Sequence, residues 1–516
     1  MKNLNRRDFL RASAAGTATL TVPAWLAGCA STGAVAASTA AAPVPPNPFL
    51  TWFGVDEPML TRLMTELSGR GADLADLYFQ YRRSNSIALE DGIVSRASST
   101  VDEGVGLRVV VGDQTGYAFT EDLSLDAMLA AARTASSIAH GGGATAPVAF
   151  AFLDTPRFYN LTVPWADVGI TRKLPLLETV EGYAKALDPS VSKVQIYWDD
   201  TEECVLVADL KGHVHTDLRP STRLWVSVTA TRDGETQSGS ANVAGRQGFD
   251  WYTDEQLRMV AKQAVERTLV LFDARRPPAG TMPVILAAGA SGILLHEAIG
   301  HGLEADFNRK GVSTYADLLG QSIAPDFVTI VDSGVIEGER GALNFDDEGN
   351  PCERTVLVED GKLASYLHDS ISARHYGVAA TGSGRRQSFR HAPMPRMRCT
   401  YMEDGPHTPE EIIASVDKGI IAETFTNGQV QIGAGDFTFY VKNGWLVEGG
   451  KITAPIKDCN IIGNGPAALR AVTMAANDSK LDTGGWTCGK DGQSVPVSQG
   501  LPTVLVSELV VGGDDV

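Results

Sequence analysis

An α+β fold is predicted by three observations. Strand-like and helix-like runs are segregated along the chain without regular β-α-β alternation. Asp-Gly and Lys-Gly signals break long alternating stretches, as tight turns between antiparallel strands require. One Pro/Gly-rich stretch, Arg275-Arg-Pro-Pro-Ala-Gly280, divides the chain. The expected order is a mixed N-terminal domain of antiparallel strands and helices over residues 48–275, then a strand-rich C-terminal domain over 276–516.

The elements follow in order. Residues 75–81 have strand composition, and 105–111 alternate up to a Gly112-Asp113 turn before a strand over 115–120. Residues 125–140 carry apolar side chains at helical spacing. Residues 191–249 read as a meander with runs at 193–198, 204–210 and 223–232, separated by turns at Asp199-Asp200, Lys211-Gly212 and Asp233-Gly234. An amphipathic helix over 254–272 leads to the Pro/Gly break. The last third returns to strands, with hairpins at Glu359-Asp-Gly-Lys362 and Gly449-Gly450 and a helix over 409–419.

The N-terminus sets the compartment. Arg6-Arg7-Asp8-Phe9-Leu10 precedes a mildly apolar stretch broken by Pro23, the pattern of a twin-arginine export signal. A membrane span needs about 20 strongly apolar residues, which this stretch lacks. Leu26-Ala27-Gly28-Cys29 matches the box at which bacterial lipoproteins are cut and lipidated, so Cys29 is the expected anchor and 1–28 the removed signal. Residues 29–47, rich in Ala, Ser, Thr, Val and Pro, read as a flexible tether. The expected product is an exported protein held to a membrane by its lipid, in the periplasm or on the outer cell surface. Export in the folded state suits a metalloprotein loaded inside the cell.

The formal charge is −18, and becomes −21 once the four basic and one acidic residues of 1–28 are gone. So acidic a chain excludes nucleic acid as a main partner. Beyond Cys29 there are Cys204, Cys352, Cys399, Cys459 and Cys488, with no Cys-x-x-Cys pair. Such an odd set gives no disulfide framework, and suits one cysteine serving as a metal ligand.

His296-Glu297-Ala298-Ile299-Gly300-His301 carries the chemistry. Neutral imidazole is the commonest ligand of catalytic zinc, and a glutamate beside the first histidine can take a proton from the attacking water. The spacing is unusual. In a regular helix, residues at i and i+4 lie about 40° apart, but i and i+5 lie about 140° apart. Both rings reach one ion only if the helix widens into a π-bulge or unwinds, a distortion Gly300 makes cheap. A third ligand is needed, and Glu304, Cys459 and Cys488 are the candidates.

The motif and the Gly292-Ile-Leu-Leu before it resemble the zinc motif of the TldD half of the TldD/PmbA (TldE) metallopeptidases. The same family resembles this chain at residues 78–116, at Asp346-Asp-Glu-Gly349, at residues 385–402 with Pro393-Met-Pro-Arg-Met397, and at Gly489-Lys-Asp-Gly-Gln-Ser-Val-Pro496. The resemblance extends from about residue 50 to the end. It implies zinc on His296, His301 and Cys488, with Glu297 as general base, in a peptidase that degrades or trims unfolded peptides. It also implies a dimer, either of like subunits or with a PmbA-type partner. Two alternatives belong to other classes: a non-catalytic peptide-binding subunit of such a dimer, and a zinc amide hydrolase acting on non-peptide substrates. His391 and Tyr401 are candidates for oxyanion stabilisation or for a structural role. His213 and His215 read as an exposed strand face, and Asp346-Asp-Glu-Gly349 as a turn.

Overall fold

A computed structural model describes residues 48–139, 141, 143–154, 156–159, 161–431 and 433–513. Arg6, Arg7 and Cys29, with the whole of the expected signal and tether, lie outside the described residues.

The N-terminal sheet is built from unusually long strands. β1 (Leu74–Glu90), β2 (Ile93–Val111), β3 (Gln114–Thr120), β4 (Val191–Asp209), β5 (His213–Arg232) and β6 (Glu235–Gly245) lie in the order β3-β2-β1-β4-β5-β6, all antiparallel. The β1–β2 and β5–β6 hairpins turn on Asp91-Gly92 and Asp233-Gly234, whose positive φ angles are those of two-residue turns matching the twist of a sheet. The expected break at Asp199-Asp200 is absent, since β4 runs straight through it. Asp200 is buried there and is held by Lys173, Asn85 and the Trp198 indole, so its charge is satisfied inside the sheet.

One face of this sheet carries two cores side by side along the strands. Helices α1 (Glu57–Ser68) and α2 (Leu125–Ile138) cover Leu77, Phe79, Leu107 and Leu206, while α3 (Ile170–Leu187) and α4 (Asp254–Asp273) cover Ile196, Trp198, Leu224 and Val226. Side chains alternate along a strand, so the opposite face presents Tyr78, Val205 and Val207, and these pack on Phe345 and Phe389 from the C-terminal half.

That half has two further sheets. β7 (Gly280–Leu286), β11 (Lys418–Gln431), β12 (Asp436–Glu448), β13 (Cys459–Asn464) and β16 (Val504–Gly512) close into a barrel in the order β7-β16-β13-β12-β11 and back to β7. Closure leaves no open edge in this ring. The other sheet contains β8 (Ile330–Ser333), β9 (Arg354–Glu359), β10 (Cys399–Met402) and β15 (Gln493–Leu501), with β14 (Trp486–Lys490) paired to β15 through an Asp491-Gly492 turn. The helix expected over 409–419 is shorter, Pro409–Ala414, because Lys418 already opens β11.

Candidate metal centre

Chain leaving the barrel at the end of β7 enters a short helical turn (Ile293–Leu295), then a widened turn over His296–Gly300. The His301 amide donates to the His296 carbonyl, five residues back, which is the π-type bond the spacing demanded. The extra residue swings the rings together: their centroids lie 5.1 Å apart at an interplanar angle of 83°. Gly300 serves this turn for a different reason than expected. Its φ of −57° is open to any residue, but a Cβ there would lie 2.0 Å from Met397 Sδ, so the need is for space.

Cys488 arrives from the other direction, on β14 and across from Val495. Its Sγ lies 3.4 Å from His301 Nε2. One ligand atom each from His296, His301 and Cys488 falls within 4.8 Å of the others, and all three residues are buried. Burial pushes the Cys488 thiol up, but His296 and His301 beside it more than offset this and hold it well below its usual range. Burial likewise pulls His301 down, yet Glu304 and Cys488 raise it well above an ordinary histidine. Such a cluster holds positive charge strongly. Two imidazoles and a thiolate form a donor set suited to a borderline-soft metal, and the buried His296 Nδ1 has no hydrogen-bond partner.

Glu304 does not join this set, although its sequence position made it a candidate ligand. Its Oε2 lies 3.0 Å from His301 Nδ1, the far side of the ring, which leaves Nε2 facing Cys488. A carboxylate in that position fixes the ring's tautomer and direction. Glu304 is itself fully buried, which raises a carboxyl; Lys490, His301 and Arg396 outweigh this and take it down to about 2. Lys490 Nζ sits 3.1 Å from Glu304 and 2.7 Å from Asp306, and Arg396 Nη2 donates to the Cys488 carbonyl at 2.6 Å. These supporting residues were missed from sequence. The signal was Lys490, two residues beyond Cys488 and so on the same face of β14.

Glu297 is partly exposed, at 22% for its side chain, and its Oε2 lies 4.0 Å from His301 Nε2. It therefore stands on the ligand side of the ring and reaches solvent. Cys459 is buried in the barrel core and lies outside the cluster. So do His391, beside Ser388 Oγ at 3.2 Å, and Tyr401. His213 pairs with Asp209 on the strand surface. Asp346-Asp-Glu-Gly349 is a buried turn: Asp346 accepts from the Glu348 and Asn350 amides, while Glu348 pairs with Arg108 of the N-terminal sheet at 2.6 Å.

Residues 75–139, 163–272 and 279–513 match, in succession, the families described as PmbA/TldA metallopeptidase domain 1, central domain and C-terminal domain. The Metalloprotease TldD homolog of Haemophilus influenzae is 41% identical over 474 residues, spanning 90% of this chain and 98% of that one. This chain belongs to the TldD/PmbA metallopeptidase family. A TldD relative in Saccharolobus solfataricus, described as a zinc metalloprotease, is 28% identical over 447 residues, 86% of this chain and 97% of its own. The crystal structure of TldE from Thermococcus kodakarensis shares the fold, with a TM-score of 0.67 at 17% identity over 88% of this chain and 99% of that one. Residues 3–23 match the twin-arginine translocation signal, so this TldD/PmbA protein carries an export signal.

Proposed function

We propose that this TldD-type protein is an exported zinc peptidase in which His296, His301 and Cys488 hold the metal and Glu297 moves the proton. The observation that carries the reading is the convergence of those three ligand atoms within 4.8 Å, with the Glu297 carboxylate beside them. Zinc, when bound, supplies Lewis acidity that acidifies a water and polarises the scissile carbonyl. Glu304 holds His301 by Nδ1 so that Nε2 stays turned to the site. Glu297 accepts the proton of the attacking water on a carboxylate oxygen and delivers it to the departing amine nitrogen.

The substrates are unfolded peptides or peptide precursors. The working unit is a dimer, either of two copies or with a PmbA-type subunit, as membership of the TldD/PmbA family suggests. Cys29 carries the lipid that tethers the exported chain to a membrane.

Glu297 and Cys488 should fail differently. Glu297→Ala keeps stoichiometric zinc and loses cleavage of an unfolded peptide by at least about 10²-fold. Cys488→Ala loses zinc affinity first, and excess zinc restores part of the activity. Parental cleavage by Glu297→Ala would remove the peptidase reading. Parental zinc affinity in Cys488→Ala would remove the thiolate ligand.

A further inference from the structure

The face of the N-terminal sheet that its helices leave bare meets the C-terminal half along a seam that is not fully filled. A cavity of about 260 Å³ remains, with Tyr78, Thr201 and Glu203 on one wall and Thr487, Ser494 and Pro496 on another. Its charge is lopsided. Arg82, Arg219, Arg246, Arg340, Arg385 and Arg386 line it, against Glu203 and Asp347.

Some of this charge is spoken for. Arg219 pairs with Asp217 and Asp347, and Arg386 with Asp76. Arg246, Arg340 and Arg385 have no carboxylate within ion-pair distance among the described residues. Their hydrogen bonds go to neutral acceptors: Arg246 to the Pro220 carbonyl, Arg340 to the Trp486 carbonyl and Ser221 Oγ, Arg385 to the Met397 and Pro496 carbonyls. Arg246 and Arg385 are only 4% and 2% exposed, and the buried Arg246 Nε has no partner at all. Burial takes Arg340 and Arg385 down to about 10 and the positive charge of Arg246 pushes each the same way, while Asp199 and Asp347, both beyond ion-pair distance, offset this only in part. Arg246 and Arg385 are buried and Arg340 is half-buried; holding such cations with no ion-paired carboxylate is costly, so the three together in an acidic chain point to a missing anion.

The walls indicate which anion. Thr487 precedes Cys488 in the chain and Val495 is its cross-strand partner, and both line the cavity. The cavity and the metal centre therefore share the β14–β15 hairpin, and the outer edge of β14 pairs with no other strand among the described residues. A chain passing that edge reaches both. The cavity's size suits a single carboxylate-bearing residue, not a polyanion, and planar guanidinium forks match a carboxylate.

We propose that Arg246, Arg340 and Arg385 form an anion subsite that takes a carboxylate of the peptide substrate, either its C-terminus or an acidic side chain. The proposal rests on the peptidase reading above. The test uses zinc-loaded mature protein bearing Glu297→Gln, which binds peptide without turnover. Calorimetry measures three N-acetylated hexapeptides of alanine and serine: the free acid, the C-terminal amide, and an amide with one internal glutamate. The subsite predicts that the free acid, the glutamate amide or both bind about ten-fold or more tighter than the plain amide. The free acid marks a terminal source and the glutamate amide a side-chain source. Adding Arg340→Gln should shrink that ratio below about two-fold, and Arg340→Lys, which keeps the charge but loses the fork, should leave an intermediate one. Should Arg340→Gln fail to fold, an undiminished ratio in Arg340→Lys overturns the assignment. Equal binding of all three peptides overturns the subsite and leaves peptide binding standing. No binding of any of them overturns the peptidase reading and the subsite with it.

Discussion

The β14–β15 hairpin has buried charge on both of its faces, balanced in opposite ways. On the Cys488 face, signs alternate outward from the ligands: His301 meets Glu304, Glu304 meets Lys490, Lys490 meets Asp306. Each group there has its complement in place, as a fixed cation site requires. On the Thr487 face, Arg246, Arg340 and Arg385 hydrogen-bond only to neutral oxygens, with no carboxylate at ion-pair distance among the described residues. The same strand thus separates an array that is complete without its ligand's partner charges from one that is not. The lesson is that burial alone does not mark a site; what marks it is which charges the fold leaves to be supplied.

Removing Lys490 should show the largest difference. Lys490→Gln strands the buried Asp306 without its cation and leaves Glu304 only His301 and Arg396, and should cost about 3–5 kcal/mol of stability in chemical denaturation. A cost as small as that of a surface lysine would break the comparison.

Glu304→Gln comes next. It keeps the shape but weakens the grip on His301 Nδ1, so zinc affinity measured by competition with a chelator should fall about 10- to 100-fold. The same variant has a pH signature. The folded Glu304 carboxyl lies at about 2 against an ordinary value of 4.5, so its stabilisation is complete above pH 4.5 and is lost as pH falls toward 2. Asp346 is buried too, but its neighbour is the Glu348 carboxylate, and burial together with that neighbour raises it. Its contribution is complete below pH 3.8 and is lost as pH rises through the raised value. In metal-free protein, Glu304→Gln should flatten the acid limb of the melting-temperature profile, and Asp346→Asn should not. The smallest effect should come from Arg246→Gln, where a cation without a carboxylate is removed: under about 1 kcal/mol in the same denaturation assay.

How much of this could be read from sequence divides along the same physical line. Turns at Asp91-Gly92, Asp233-Gly234, Asp360-Gly361 and Asp491-Gly492 are local backbone events, all with positive φ at both residues, and three of them bound long pairings whose alternation is visible in the chain. The His296–His301 distortion was likewise predictable, because helix geometry fixes the angle that i, i+5 must overcome. Asp199-Asp200 misled because the partners that keep Asp200 inside a strand, Lys173 and Asn85, lie far along the chain. Barrel closure was illegible for the same reason: it pairs β7 with β11 in parallel, across more than a hundred residues. Glu304's place behind His301 depends on Lys490 and Arg396, and the arginine cavity gathers side chains from residue 82 to residue 386. No local pattern records such gatherings.

The ligand set proposed for the zinc is two imidazoles and one thiolate. X-ray absorption at the zinc edge of the purified mature protein tests it most directly. One sulfur at about 2.3 Å and two imidazole nitrogens at about 2.0–2.1 Å are expected around each zinc. A first coordination shell of nitrogen and oxygen only, with no sulfur, would contradict it.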